Sequence, residues 1–116
     1  MPLRPGEIYW VNLVDGGRRP VVIVSREELN RGHSVVGVGI TSSRLELRRQ
    51  SPNYVPFRAG QFGLTKDCVA QAESITVFDL AHVDLETGPL GKLDSRAMRG
   101  LIRAVGYMID SDCEPA

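Results

Sequence analysis

Two strand-end groups carry most of the chemistry this sequence can offer. Arg19 stands between a Gly16-Gly17 turn and Pro20, and the hydroxyl pair Thr41-Ser42 ends a valine- and glycine-rich run. A guanidinium is planar, always charged and forked, which suits it to phosphate or carboxylate. Joined by two hydroxyls, it forms a site for a phosphate oxyanion, where fixed donors stabilise charge as it develops. Such a site needs no metal, histidine or carboxylate nucleophile if the substrate brings its own nucleophile. RNA does, because its 2′-hydroxyl lies beside the phosphate to be cut. The sequence permits Arg19 and Thr41 to converge without establishing it, since a short connection between strands does not by itself join those two ends. The competing reading of Arg19 is a solvated side chain on a hairpin.

Other reactive residues lack partners. His33 and His82 invite comparison with a general acid–base pair, but each sits in a turn or strand-end setting and no spacing pairs them. Structural or surface roles are expected for both. Cys68 has no histidine near it in sequence and lies in a strand-like stretch that reads as core. No Cys/His cluster has metal-ligand spacing, so neither a metal nor a cofactor is expected. The glycines at 37 and 39 are not followed by a helix, which excludes a dinucleotide-binding fingerprint.

A chain of 116 residues suits one compact domain spanning 1–116. No apolar run approaches the roughly 20 residues that span a bilayer. Met1-Pro2-Leu3-Arg4-Pro5 lacks the apolar centre of a signal peptide, so no membrane partner and a cytoplasmic location are expected. The formal charge is zero, yet it is unevenly spread. Residues 1–66 hold ten Lys/Arg against five Asp/Glu, and residues 67–116 hold four against nine. Arg44, Arg48, Arg49 and Arg58 crowd one stretch with Glu46 as its only acid, a basic surface suited to an acidic partner or simply a solvated loop.

The elements that must position these groups read as strands closed by one helix. Glu7–Leu13 predicts a first strand, and the glycine turn leads into a second at Val21–Ser25 whose β-branched run suits burial on both faces. Pro20 belongs at the start of that strand. Ser25 is expected to cap a short helix over Arg26–Asn30. Ser34–Ile40 predicts a third strand whose alternating glycines imply close backbone approach or a bend. Arg44–Asn53 reads as a long loop, Tyr54–Phe57 as an edge strand containing Pro56, and Cys68–Ala72 and Ser74–Phe78 as further strands. Asp94 is the expected N-cap of a long helix with Met98, Leu101, Ile102, Val105, Met108 and Ile109 on its apolar face. Ser111–Ala116 is expected to be a frayed polar tail. The sum is a small, strongly bent antiparallel sheet or barrel with a C-terminal helix.

Taken in order, these stretches resemble the MazF/PemK toxin family. The resemblance runs through Arg4-Pro5-Gly6-Glu7-Ile8-Tyr9-Trp10-Val11-Asn12-Leu13, Gly16-Gly17-Arg18-Arg19-Pro20-Val21-Val22-Ile23-Val24-Ser25, Ile40-Thr41-Ser42, Gly63-Leu64-Thr65-Lys66-Asp67-Cys68-Val69-Ala70 and Leu90-Gly91-Lys92-Leu93. It implies a mainly β fold, an SH3-like or CcdB-like barrel of antiparallel strands with helical additions. It also implies a homodimer and a sequence-specific, metal-independent endoribonuclease of a type II toxin–antitoxin system, cutting single-stranded RNA to leave a 2′,3′-cyclic phosphate and a 5′-hydroxyl. The matching catalytic positions are Arg19, stabilising the phosphorane, and Thr41, hydrogen-bonding the scissile phosphate. A cognate MazE-like antitoxin is the implied partner, with DNA approached only through the toxin–antitoxin complex. Gly17 in the first turn, Ser42, and the basic stretch with Arg44, Arg48, Arg49, Tyr54 and Phe57 are expected to contact RNA, arginines on phosphates and aromatic faces on unpaired bases. Core packing remains the alternative for the two aromatics. Two rival functions stay open: a non-enzymatic CcdB-like toxin acting on DNA gyrase, and an inactive member that binds RNA or antitoxin without cutting.

Overall fold

The computed structural model describes residues 2–109. Strand β1 (Glu7–Asn12) and β2 (Arg18–Ile23) form a hairpin, β3 (Ser34–Thr41) lies against β2, and a one-turn helix α1 (Leu45–Arg48) follows. Strands β4 (Tyr54–Phe57), β5 (Cys68–Gln71), β6 (Thr76–Asp79) and the two-residue β7 (Gly91–Lys92) precede helix α2 (Ser95–Met108). The strand order is β4-β5-β3-β2-β1-β7, with β6 also on β3, and every pairing is antiparallel. The fold is therefore mainly β, a curled half-barrel with a C-terminal helix, as the sequence reading expected.

β3 is where the sheet turns. One of its edges meets β2 through Val21↔Gly39, Val22↔Val38 and Ile23↔Gly37. The other edge is divided: Ser34–Gly37 pairs with β6, and Ile40–Thr41 pairs with β5. A 3-10 turn at Ala72–Ser74 separates those two partners. A strand shared this way must bend, and the glycines within it make the bend close-packed. A Cβ on Gly37 would fall 2.3 Å from Cγ1 of Val21, so Val21 packs directly onto β3 backbone. Val21, Val22 and Ile23 are fully buried because the curled sheet has core on both sides. Val22 joins Ile8, Val38, Ile40 and Leu101 of α2 on one side, while Val21 and Ile23 join Tyr9, Val11 and Val35 on the other.

Pro20 lies inside β2, paired with Trp10, two residues after the strand begins. The hairpin bond from Leu13 N–H to the Gly17 carbonyl (2.7 Å) makes Trp10↔Pro20 a non-hydrogen-bonded pair by alternation. The missing N–H therefore faces β3, and the β2–β3 ladder starts one residue later at Val21. A proline here ends the pairing and leaves Arg18–Pro20 to extend past it.

A second close approach closes the open side. A Cβ on Gly63 would lie 1.8 Å from the Leu90 carbonyl oxygen, and one on Gly91 1.9 Å from that of Phe62. Gly63 also has φ +81°, so two stretches of backbone touch where neither tolerates a side chain.

Several local expectations are corrected. Ser25 does not cap the following turn, which is 3-10 (Glu27–Leu29) and has no side-chain cap. Its hydroxyl instead donates to Oδ1 of buried Asn30 (2.5 Å), whose Nδ2 donates to the carbonyls of Leu3 and Ser25. The stretch 44–53 holds α1 as well as loop. In α2, Asp94 Oδ1 does accept from Ala97 N–H (2.8 Å), and Leu101 and Ala104 are buried, but Ile102 and Ile109 face outward. The Ser111–Ala116 tail, with Cys113, lies outside the described residues.

Opposite outcomes are expected from two glycine-to-alanine changes. Gly91→Ala should lower unfolding stability in urea by about 1–3 kcal/mol through overpacking. Gly100→Ala, in α2 with open space where the methyl would go, should raise it by roughly 0.5–1 kcal/mol. Equal effects would show that the Gly63–Gly91 crossing is not a packing constraint.

Candidate active site at the ends of β2 and β3

Arg19 and Thr41 do come together. Extending the β2–β3 register by two residues beyond Val21↔Gly39 sets Arg19 across from Thr41, and both line one open pocket of about 380 Å³. The bond from Val24 N–H to the Val36 carbonyl (2.9 Å) makes Val21↔Gly39 a non-hydrogen-bonded pair by alternation, and Arg19/Thr41 falls in the same phase, where facing side chains are closest. Arg19 is half-buried, and it leans diagonally over β3. Its Cδ and Nη1 lie 3.3 and 3.6 Å from where a Gly39 Cβ would be. Gly39 thus does for Arg19 what Gly37 does for Val21.

Thr41 is oriented by its own turn. Its Oγ1 accepts from Ser43 N–H (3.3 Å) and sits 3.1 Å from Ser43 Oγ, where either hydroxyl can donate. The hydroxyl partner of Thr41 is thus Ser43 rather than Ser42, although Ser42 lines the pocket. Lys66, Thr65 and Trp10 line it as well, and no pattern in the sequence gives any of them a role. Lys66 sits in the Gly63-Leu64-Thr65-Lys66-Asp67 loop that the Gly63 crossing fixes, and nothing local to that stretch says that it reaches the pocket. Arg18 stacks its guanidinium 4.5 Å from the Trp10 ring centre and reaches Asp84 at 3.5 Å. Hydrogen bonds from the Thr87 backbone and hydroxyl, with Arg18 adding its charge, hold the Asp84 carboxyl below its ordinary range.

The remaining expected contacts are not gathered into this pocket. Gly17 is exposed in the hairpin turn, its N–H donated to Asp15 Oδ1 (2.9 Å). Arg44 precedes α1 in a left-handed conformation (φ 50°). Arg48 lies 6.0 Å from the Tyr54 ring centre, and the Tyr54 hydroxyl donates to Glu73 (2.5 Å). That bond first, then burial, raises the Tyr54 hydroxyl pKa. Burial works against ionising Glu73, but hydrogen bonds from Tyr54 and Asn53 and the charge of Arg48 outweigh it and keep the carboxyl low. Arg49 lines a neighbouring depression of about 570 Å³ with Arg58 and Gln61. Phe57 requires a correction: its ring is buried and meets Phe62 edge-on at 5.6 Å, so it offers no free face to a base.

Among the described residues no group of three or more His, Cys, Asp or Glu could hold a metal ion, and no helix is long and apolar enough to cross a membrane.

The model of PemK-like, MazF-like toxins of type II toxin–antitoxin systems matches residues 4–109. The chain belongs to that family. The match includes β2, the end of β3 and the Gly63 loop, the three segments that build the pocket. Among solved structures it is similar to a mycobacterial endoribonuclease in complex with its cognate antitoxin, at 25% identity, 95% of this chain, 96% of the other and TM-score 0.76. It also shares its fold with the Mycobacterium tuberculosis toxin MazF-mt6 (23% identity, 90% and 96% covered, TM-score 0.75). The same holds for a MazE–MazF structure from Deinococcus radiodurans (17%, 94% and 96%, TM-score 0.72). No protein of curated function matches it by sequence.

Cys68 borders both depressions yet is buried. Burial first, then the Asp67 charge, pushes its thiol from an ordinary value of 9.0 up to about 11. The unfolded chain loses this proton first, so the stability it contributes is complete below about pH 9 and is lost as pH rises through about 11. In a Cys113→Ser background, native Cys68 should react with a thiol reagent at least roughly 100-fold more slowly than in denaturant at the same pH. Prompt labelling of the native protein would contradict its burial.

Proposed function

We propose that this toxin is an endoribonuclease that cuts single-stranded RNA without a metal ion. The observation that carries this reading is that Arg19 and Thr41, from the antiparallel neighbours β2 and β3, line one pocket. In the proposed step the 2′-oxygen loses its proton and attacks the adjacent phosphorus, the P–O5′ bond breaks, and O5′ takes up a proton. The ends are a 2′,3′-cyclic phosphate and a 5′-hydroxyl. Arg19 meets the charge that gathers on the phosphorane oxygens, and Thr41 donates to a non-bridging oxygen. A guanidinium hardly releases a proton, so the role of Arg19 is electrostatic and the protons pass to and from solvent.

Recognition is proposed to extend from the pocket over Ser42, Lys66 and the basic face with Arg44, Arg48, Arg49 and Tyr54, and Gly17 shapes the turn beside it. A homodimer would lengthen that surface, and a cognate antitoxin with an acidic segment would neutralise the toxin by covering it. The mycobacterial relative bound to its antitoxin supports that partner. A cytoplasmic site of action follows from the RNA substrate.

The test is incubation of the purified protein with a long single-stranded RNA in EDTA, followed by mapping of cut positions and end chemistry. Discrete cuts with 5′-hydroxyl ends are expected. Arg19→Ala should retain the fold, because no backbone pairing uses its side chain, and should slow cleavage by about 100- to 1000-fold, the scale for removing one preorganised oxyanion donor. Thr41→Ala should cost less, since Ser43 and Lys66 remain nearby. Full cleavage by Arg19→Ala, or complete and metal-reversible inhibition by EDTA, would overturn this mechanism.

A further inference from the structure

β3 changes partners on one edge between Gly37, which pairs with β6, and Ile40, which pairs with β5. By the alternation already described, the Gly39 N–H points to that edge, where no strand is there to accept it. The Ser74 hydroxyl fills the gap. Its Oγ accepts from Gly39 N–H (2.8 Å) and donates to the Gln71 carbonyl (2.8 Å), bridging the 3-10 turn to β3. Arg19 lies over the same residue: a Cβ at position 39 would fall 2.9 Å from Ser74 Oγ and 3.3 Å from Arg19 Cδ.

We propose that Ser74 and Gly39 are positioning residues for the reaction, a hydroxyl rung and a bare backbone patch that together fix where Arg19 rests and where β3 delivers Thr41. This rests on the ribonuclease reading. Neither residue touches the pocket, so their effect passes through Arg19 and Thr41. Without the hydroxyl, the Gly39 N–H loses its partner two residues before Thr41. With a methyl on Gly39, the Arg19 stem must move away and the Ser74 hydroxyl must shift. Displacing a charge-stabilising group by even an ångström weakens it at the transition state more than in the bound complex.

The measurement is single-turnover cleavage of an RNA cut by the wild type. Alongside it, binding of the same RNA carrying a 2′-deoxy sugar at the cut site, and the NMR signal of the Arg19 Nε–H, are followed. Ser74→Ala and Gly39→Ala should each slow cleavage roughly 10- to 100-fold while binding of the uncleavable RNA stays within about threefold. Both should move the Arg19 signal. Ser74→Thr, which keeps the hydroxyl, should return rate and signal towards wild type. If the wild type cuts and both variants cut at its rate, or if Ser74→Thr is no better than Ser74→Ala, the positioning role is wrong while the ribonuclease reading stands. Losses of binding equal to the losses of rate would also overturn it. If the folded wild type cuts no RNA, the ribonuclease reading fails and this proposal fails with it.

Discussion

The structure depends on one strand having two different partners along one edge. β3 holds β2 on one side and shares the other between β6 and β5, so the sheet must fold about it. A residue with a side chain at 37 would collide with Val21, and one at 39 with Ser74 and Arg19. The alternating glycines therefore make the bend close-packed and clear the surface over which the side chains of β2 lie. Pro20 completes the arrangement by offering no N–H to β3, so the ladder ends beneath the pocket. Core packing and site geometry are set by the same three residues.

The charge arrangement follows from that skeleton. The cations that line the pocket stand beside constrained stretches: Arg19 lies over Gly39, Arg18 is held by Trp10 and Asp84, and Lys66 follows the Gly63–Gly91 crossing by three residues. The acid beside Arg18, Asp84, is engaged by Thr87, and the polar side chains that line the pocket are Arg18, Arg19, Lys66 and the hydroxyls of Thr41, Ser42 and Thr65, set among apolar residues such as Trp10, Ile40 and Leu64. Side chains of that kind suit an anionic ligand.

Much of this was legible from residue type alone. The Val21–Val24 run showed a strand buried on both faces, although the strand spans Arg18–Ile23 and Val24 is only partly buried; Asp94 marked the start of α2, and the motif series indicated the family. What escaped depends on contacts distant in sequence. Gly37 and Gly39 announce a close approach but not what approaches, because Val21 and Arg19 are chosen by register. Phe57 in a basic stretch suggests stacking, yet its alternation within β4 turns it to the core beside Phe62. Ser25 has the type and place of a helix cap, but buried Asn30 competes for its hydroxyl. Ile102 and Ile109 fit a helical face wider than the core that α2 covers. Lys66 and Ser43 were invisible as site residues because nothing local says that their loops end at the same pocket.

The central claim is that the ends of β2 and β3 act on one phosphate. A double-mutant cycle on single-turnover RNA cleavage, with Arg19→Ala, Thr41→Ala and the double variant, tests this most directly. The account predicts strong coupling, with the double variant losing clearly less than the product of the two single losses because both side chains serve the same transition state. Fully multiplicative losses in folded proteins would place the two residues at independent tasks and contradict a shared site.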